Sequence, residues 1–89
     1  GDVTLKFIHT PGHTEGGMCI YVKEAKALFS GDTLFRQSIG RTDFPGGSYK
    51  EIMDSIRKKL FLLPDDTNVF PGHMGMTSIG FEKENNPFV

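Results

Sequence analysis

The sequence predicts a mixed α/β (α+β) fold with one mostly antiparallel sheet and two helices. Short apolar segments with a period near two alternate with polar turns in the first third of the chain. A longer segment with a helical period follows, and a shorter helical pattern closes the chain. Its 89 residues suit one small domain. We find no repeat or linker, so residues 1–89 are treated as a single unit.

Three strands are predicted first. Residues 3–8 alternate apolar and polar side chains, which predicts a strand with one apolar face. Met18–Val22 is mostly apolar, which predicts a strand buried on both faces. Ala27–Gly31 follows a short polar connection, so we expect it to form a hairpin with the preceding strand.

A long loop and a helix come next. Residues 32–47 lack periodicity and contain several glycines, which predicts a loop of the length that often carries function. Ser48 and Glu51 form a capping box, and Pro64 ends the helical pattern that begins there. The positions of this helix that are predicted to be buried are Tyr49, Ile52, Met53, Ile56 and Leu60.

The end of the chain repeats the change from strand to helix. Residues 67–70 predict a short strand that runs into the sequence Pro-Gly-His. Thr77 or Ser78 is a suitable N-cap for a second helix, which ends before Pro87.

Composition excludes several classes of function. With 24% charged residues and a net charge of −1, the chain lacks the basic surface of a protein that binds nucleic acid or anionic membranes. No apolar run approaches the roughly 20 residues of a membrane-spanning helix. Cys19 is the single cysteine, which is typical of a reducing, cytoplasmic setting, and its apolar neighbours predict a core residue rather than a reactive thiol. The chain does not begin with Met, so we expect it to be part of a longer protein.

Three polar residues share one context, because each follows a strand and lies beside glycine: His13, Asp32 and His73. Strand ends of one sheet can converge, so these side chains can meet although they are distant in sequence. Two imidazoles and a carboxylate suit zinc, and a carboxylate can also bridge two ions. The three residues therefore predict a metal site, with ordinary Pro-Gly turns as the alternative. His9 has no glycine turn of its own and is expected at the surface or in support of a ligand.

Three ligands leave a two-metal centre incomplete. Either one ion is held with an open position, or the remaining ligands lie on residues that this chain lacks. The charged residues of the long loop either are solvated or line the site: Arg36, Arg41 and Asp43.

Four segments carry a resemblance to a known family. They are HTPGHTEGG at 9–17, FSGDTLF at 29–35, GRTDFPGG at 40–47 and FPGH at 70–73, with the tail NPF at 86–88. In this order and spacing they resemble the second half of the metallo-β-lactamase superfamily, specifically its glyoxalase II-like (hydroxyacylglutathione hydrolase-like) members.

The resemblance implies an αββα sandwich, of which this chain is the C-terminal half, with one or two metal ions, usually zinc, with iron possible. By the family pattern His13 ligates one ion, Asp32 bridges the two ions and is the catalytic residue, and His73 completes the second site. A zinc-bound hydroxide would attack a small-molecule thioester such as an acylated glutathione. Arg41 is a candidate substrate-binding residue, and an ion pair with Asp43 is the alternative.

The family's other ligand motif, His-x-His-x-Asp-His, belongs to its N-terminal half and does not occur in this sequence. We therefore expect the intact parent to be the zinc-dependent thioester hydrolase and the 89-residue chain alone to hydrolyse little or nothing. Two alternatives stay open. One is a mono-iron persulfide dioxygenase of the same superfamily, which the GRTDF segment also resembles. The other is a non-catalytic fragment that needs a complementary N-terminal half or a second copy to cover an apolar face.

Overall fold

The computed structural model describes residues 3–89. A five-stranded sheet has the order β1-β2-β3-β6-β7, and β4 and β5 form a separate two-stranded sheet. In the larger sheet only β3 and β6 are parallel neighbours, and the other pairs are antiparallel. The predicted α+β class with a mostly antiparallel sheet and two helices is confirmed. The elements in chain order are β1 (Leu5–His9), β2 (Met18–Val22), β3 (Ala27–Gly31), β4 (Leu34–Phe35), β5 (Ser38–Ile39), α1 (Tyr49–Lys58), a 3₁₀ turn (Leu60–Leu62), β6 (Asn68–Pro71), β7 (Thr77–Ser78) and α2 (Ile79–Asn85).

Helix α1 and one face of the larger sheet form a single buried core. Ser48 is the N-cap of α1, and its side chain accepts a hydrogen bond from the Glu51 N–H, as the capping-box pattern predicts. The sheet residues of this core define what we call the closed face: Ile8, Cys19, Tyr21, Leu28 and Val69. Their partners from the rest of the chain are Leu34, Ile52, Met53, Ile56, Leu60 and Ile79.

Two details of the predicted helix were wrong. Tyr49 is 58% exposed rather than buried. Its hydroxyl donates to the main-chain oxygen of Phe88 at 3.4 Å, so this amphipathic side chain keeps its polar end accessible. The helix ends at Lys58 because Lys59 leaves the helical conformation, and Leu60 is buried from a separate 3₁₀ turn.

The opposite side of the sheet carries exposed apolar side chains, and we call it the open face: Leu5, Phe7, Met18, Phe29 and Phe70. The strand register places several of them side by side, since Phe7 lies opposite Ile20, Ile20 opposite Phe29, and Phe29 opposite Phe70. The rings of Phe29 and Phe70 stack with their centroids 5.4 Å apart. The described part of the chain places no layer over this face.

The open face corrects two predictions. Strand β2 is not buried on both faces, because Met18 is exposed and only Cys19 and Tyr21 reach the core. Strand β1 begins and ends later than predicted, and its apolar alternation marks the open face, while Ile8 provides its core contact. Alternation identifies an apolar face but does not say whether anything covers it.

The predicted loop over residues 32–47 contains the β4–β5 hairpin. Each of its strands has two residues, which is too short for a period to be visible in the sequence. The hairpin turn places Gln37 at a φ of 56°. The Gln37 N–H donates to the buried carboxylate of Glu82 in α2 at 2.8 Å, and that bond ties the hairpin to the body of the molecule.

Helix α2 begins after Ser78. Of the two predicted N-cap candidates, Thr77 and Ser78, it is Ser78 that caps the helix, because the Ser78 side chain accepts a hydrogen bond from the Phe81 N–H. The Glu82 carboxylate also accepts from the Thr77 hydroxyl and the Asn86 amide, so three donors satisfy it without a cation. Among the residues described, no helix has the length and apolarity that a bilayer span requires.

Candidate metal centre

The topology brings three ligand-type side chains to one edge of the sheet. Strands β1 and β3 are both antiparallel to β2, and β6 is parallel to β3, so β1, β3 and β6 run in the same direction. Their C-terminal ends therefore lie at the same edge. The residues that follow these ends are His13, Asp32 and His73.

The Asp32 carboxylate lies between the two imidazoles. Its Oδ1 is 3.1 Å from Nδ1 of His73, and its Oδ2 is 3.8 Å from Nε2 of His13. The exposed fraction of the side chain is 24% for His13, 45% for Asp32 and 72% for His73. The three groups are thus in reach of one another and of solvent.

A main-chain contact fixes the tautomer of His13. Its Nδ1 lies 2.8 Å from the carbonyl oxygen of Arg41. Because a carbonyl oxygen only accepts, Nδ1 carries the proton, and Nε2 is the nitrogen that faces Asp32. An imidazole that donates from one nitrogen to a backbone carbonyl and presents the other is the usual arrangement of a metal-ligating histidine.

Helix α1 holds the loop that carries His13. The Ser48 N–H donates to the Gly12 oxygen at 2.7 Å, and the Ser55 hydroxyl donates to the Pro11 oxygen at 2.8 Å. Gly12 has a φ of 141°, and a Cβ at this position would lie 2.3 Å from Cβ of Ile52. Only glycine fits so close to the helix, so the loop is pressed directly against α1.

Gly40 plays a similar role on the other side of the site. A Cβ built on Gly40 would lie 1.8 Å from the main-chain oxygen of Asp32 and 3.2 Å from Cβ of His13. The chain that follows the β4–β5 hairpin therefore passes against both of these residues. This contact was not predicted, because glycine-rich loops are common and the sequence does not say which glycine makes a close approach.

A pair of buried hydroxyls joins the two loops beneath the site. Thr10 Oγ1 lies 3.1 Å from Thr33 Oγ1, and it lies 3.4 Å from Sγ of Cys19. Thr10 precedes the turn of His13, and Thr33 follows Asp32 directly. Cys19 is a buried core residue, as predicted, and burial raises the pKa of its thiol. Neither threonine carries a sequence signal, since threonine is ordinary in strands and turns.

The edge opens into a pocket of about 500 Å³. His13, Asp32 and His73 line one part of it, and the apolar walls are Phe35, Ile39, Phe44 and Met74. Each imidazole contacts an aromatic edge. The His13 and Phe44 centroids are 6.0 Å apart, and those of His73 and Phe35 are 5.9 Å apart, with nearly perpendicular planes in both pairs.

Arg41 lines the same pocket, but its side chain is bound within the chain. Its Nε and Nη2 donate to the two carboxylate oxygens of Asp43 at 3.1 Å and 2.9 Å. These hydrogen bonds lower the pKa of Asp43 and raise that of Arg41. The ion-pair alternative for Arg41 is thus the one observed, and a role in substrate binding stays a prediction.

His9 donates from Nε2 to the Glu15 oxygen at 2.9 Å and so closes the base of the His13 loop.

The donor chemistry fits zinc or iron, since both accept neutral imidazole nitrogens, and zinc also takes carboxylate oxygen. Within residues 3–89, however, no group of three or more His, Cys, Asp or Glu side chains is arranged to hold a single ion. The distances explain this, because the two oxygens of Asp32 face different imidazoles instead of pointing at one centre. The arrangement suits a carboxylate between two ions, each of which needs further ligands.

Comparison with known proteins identifies the family. Residues 1–73 match the metallo-beta-lactamase superfamily. A protein of Aquifex aeolicus is 48% identical over 88 residues, which cover 99% of this chain and 42% of the relative. The hydroxyacylglutathione hydrolase GloC of Haemophilus influenzae is 48% identical over 85 residues, covering 96% of this chain and 40% of the relative. The probable metallo-hydrolase YqgX of Bacillus subtilis is 43% identical over 89 residues, which cover 100% of this chain and 42% of the relative.

Solved structures share the fold. The B3 metallo-beta-lactamase BLEG-1 superposes with a TM-score of 0.94 at 46% identity, over 99% of this chain and 42% of that one. TTHA1623 in a di-iron-bound form gives a TM-score of 0.91 at 44% identity, over 96% and 42%. ETHE1 from Myxococcus xanthus gives 0.90 at 38% identity, over 98% and 40%.

The chain spans 40% to 42% of the length of the relatives named above. The fold of this chain matches that of BLEG-1 over 99% of its length. This chain belongs to the metallo-beta-lactamase superfamily.

Proposed function

We propose that this chain is the C-terminal part of a metal-dependent hydrolase that cleaves thioesters of the hydroxyacylglutathione type. The observation that carries the proposal is the Asp32 carboxylate, which lies between the imidazoles of His13 and His73 in the lining of the pocket. The similarity to GloC of Haemophilus influenzae supports this choice of substrate class.

In this function His13, Asp32 and His73 would hold the metal, and Asp32 would be the catalytic residue. When bound, the metal acts as a Lewis acid toward the thioester carbonyl and activates water. The contact between His13 Nδ1 and the Arg41 oxygen keeps Nε2 available throughout. Because three donors cannot complete two sites, the remaining ligands are expected from the part of the parent protein that this chain lacks.

The apolar walls of the pocket suit the acyl group of a thioester. Phe35, Ile39, Phe44 and Met74 surround the metal-facing edge and would exclude water from the side of the acyl chain. The only cation that lines the pocket among the described residues is Arg41, and it is paired with Asp43. These walls therefore favour an uncharged acyl group, while recognition of the thiol carrier is left to the rest of the parent protein.

Complementation tests this function directly. The purified chain is mixed, in the presence of zinc, with the N-terminal part of the Haemophilus influenzae GloC protein, and hydrolysis of a hydroxyacylglutathione is followed. We expect no activity from either part alone, activity from the mixture, and none when the chain carries Asp32→Ala. Asp66→Ala is the matched control, because Asp66 is an exposed carboxylate paired with Lys26 outside the pocket. A mixture that binds zinc and associates but stays inactive would overturn the proposal.

A persulfide dioxygenase with one iron is the second candidate. The similarity to ETHE1 from Myxococcus xanthus favours it, and the di-iron-bound form of TTHA1623 shows that a close structural counterpart accepts iron. Metal analysis of the full-length parent separates the two functions. Two zinc ions per chain support hydrolysis, and one iron supports oxidation.

A further inference from the structure

The main-chain oxygen that orients His13 belongs to an exposed loop residue. Arg41 lies beyond the end of β5, outside any strand or helix, and its side chain is largely exposed. A carbonyl in such a segment usually has freedom to turn toward water. Yet this carbonyl accepts from His13 Nδ1 at 2.8 Å. Something other than secondary structure must hold it.

The side chain of Arg41 is fixed in two directions. Its guanidinium donates through Nε and Nη2 to both oxygens of Asp43, which is a fork that permits one relative orientation. The guanidinium carbon also lies 4.4 Å from the centroid of the Phe44 ring, within the range of a cation–π contact. The guanidinium is thus held by hydrogen bonds to Asp43 and by contact with the ring of Phe44. Because the side chain is fixed, the peptide group of Arg41 has little freedom to rotate.

Phe44 links this arrangement back to the histidine. One part of its ring contacts the Arg41 guanidinium, and its plane stands at 80° to the His13 imidazole with the centroids 6.0 Å apart. Gly40 closes the other end of the segment, because its backbone lies against both Asp32 and His13. The imidazole is therefore contacted at Nδ1 and on its ring by one short stretch of chain, and the backbone of Gly40 lies close to Cβ of the same histidine.

We propose that Arg41 is a positioning residue: together with Asp43 and Phe44 it forms a clamp that keeps the His13 imidazole in the Nδ1–H tautomer with Nε2 aimed at Asp32. This inference rests on the proposed metal-binding function of His13. It also assigns Arg41 a role other than contact with substrate. Asp43 acts on the site through Arg41, since its carboxylate receives the guanidinium fork.

The tautomer of His13 can be measured without metal or activity. Long-range ¹H–¹⁵N NMR spectra of the ¹⁵N-labelled chain at about pH 8, above the ordinary histidine pKa, distinguish the two neutral tautomers. We expect His13 to be almost wholly Nδ1–H in the wild type and a mixture of tautomers in Asp43→Ala. Zinc affinity of the same variant should fall by about fivefold to tenfold, near the low end for loss of an outer contact because the ion pair is exposed.

Three comparisons make the result specific. Asp66→Ala removes an equally exposed ion pair outside the pocket and should change neither the tautomer nor zinc affinity. Arg41→Lys keeps the charge but loses the fork, so it should give an intermediate mixture. Phe44→Leu tests the clamp independently if Asp43→Ala proves poorly folded. A wild-type tautomer with unchanged zinc affinity in both Asp43→Ala and Phe44→Leu would overturn the clamp. Failure of the wild type to bind zinc even in the presence of the N-terminal part of GloC would instead count against the proposed function, since the tautomer comparison needs no metal.

Discussion

The two faces of the larger sheet differ in how much of their surface the rest of the chain covers. Leu28 and Phe29 are neighbours in β3, yet Leu28 is 0% exposed on the closed face and Phe29 is 47% exposed on the open face. Both faces are apolar, so composition does not distinguish them. What distinguishes them is that α1 packs with the closed face, whereas no described element packs on the open one.

This difference shows which part of the fold supports the site. The loop of His13 is hydrogen-bonded to α1 through Ser48 and Ser55, on the side of the closed face. His9, which lies opposite the open-face residue Met18, contributes one further hydrogen bond to the loop, from Nε2 to the Glu15 oxygen at 2.9 Å. We propose that the open face is where the rest of the superfamily domain packs, because the chain spans 40% to 42% of its relatives' length. On this proposal, α1 and the closed face hold the His13 loop, and the part of the protein that packs on the open face would supply the remaining ligands.

The largest expected effect comes from truncating the closed face. Leu28→Ala should lower the free energy of unfolding by about 2–5 kcal/mol, because it leaves a cavity in a fully packed core. Phe29→Ala should lower it by less than about 1 kcal/mol in the isolated chain, since much of the ring is already in water. Urea unfolding followed by circular dichroism measures both. Equal losses for the two variants would show that the open face is covered in solution.

The next effect concerns the hydroxyl pair beneath the site. Thr10→Val should cost about 1–3 kcal/mol of stability, because it leaves the buried Thr33 hydroxyl without this partner. The double variant Thr10→Val/Thr33→Val should cost less than the sum of the two single variants, as a double-mutant cycle will show. Strict additivity would mean that the two hydroxyls do not interact, and that the link between the two ligand loops lies elsewhere.

How far sequence predicts this structure depends on whether the determining contact is local. His13, Asp32 and His73 were identified because each follows its own strand and glycine, which are local signals. Their meeting at one edge follows from the shared direction of β1, β3 and β6, and that was an assumption until the pairing was known. The ligand role of the three residues stays a prediction.

The features that sequence missed are all tertiary. Gly40 could not be told from the other glycines of its loop, because only the approach of Asp32 makes it special. The hydrogen bond from His13 to the Arg41 carbonyl could not be predicted from a pattern of side chains, because the acceptor is a main-chain atom. The exposure of Phe7 and Phe29 was missed for a related reason, since periodicity reports an apolar face without reporting its cover.

A smaller effect should appear in thiol chemistry. Cys19 lies on the closed face, and burial raises the pKa of its thiol, so at neutral pH it stays protonated and inaccessible. An aromatic disulfide reagent should modify it only after unfolding. A cysteine placed on the open face by Phe29→Cys, in a Cys19→Ala background, should react in the folded chain. Rapid reaction of Cys19 in the native wild type would contradict the packing of the closed face.

The smallest expected effect is that of an ion pair that belongs to neither face. Lys26 lowers the pKa of Asp66 below its ordinary 3.8 through a hydrogen bond, and Asp66 raises that of Lys26 above 10.5. The contribution of Asp66 to stability is therefore present above pH 3.8 and is lost as the pH falls through its lowered value. The contribution of Lys26 to stability is present below pH 10.5 and is lost as the pH rises through the raised pKa of Lys26.

Asp66→Ala tests this assignment by urea unfolding at two pH values. The variant should unfold at a slightly lower urea concentration than the wild type at pH 7. The two proteins should coincide at a pH low enough to protonate Asp66 in both folded and unfolded chains. A difference that persists in acid would mean that Asp66 stabilises the fold in some other way.

Metal titration tests directly whether His13, Asp32 and His73 gather at one edge to bind metal. Zinc binding by the wild-type chain is compared calorimetrically with binding by His13→Ala, Asp32→Ala and His73→Ala, and with Asp66→Ala as the control. We expect measurable binding by the wild type and the control, and a loss of more than about tenfold in affinity for each of the other three. Affinity that is unchanged in all three variants would contradict it.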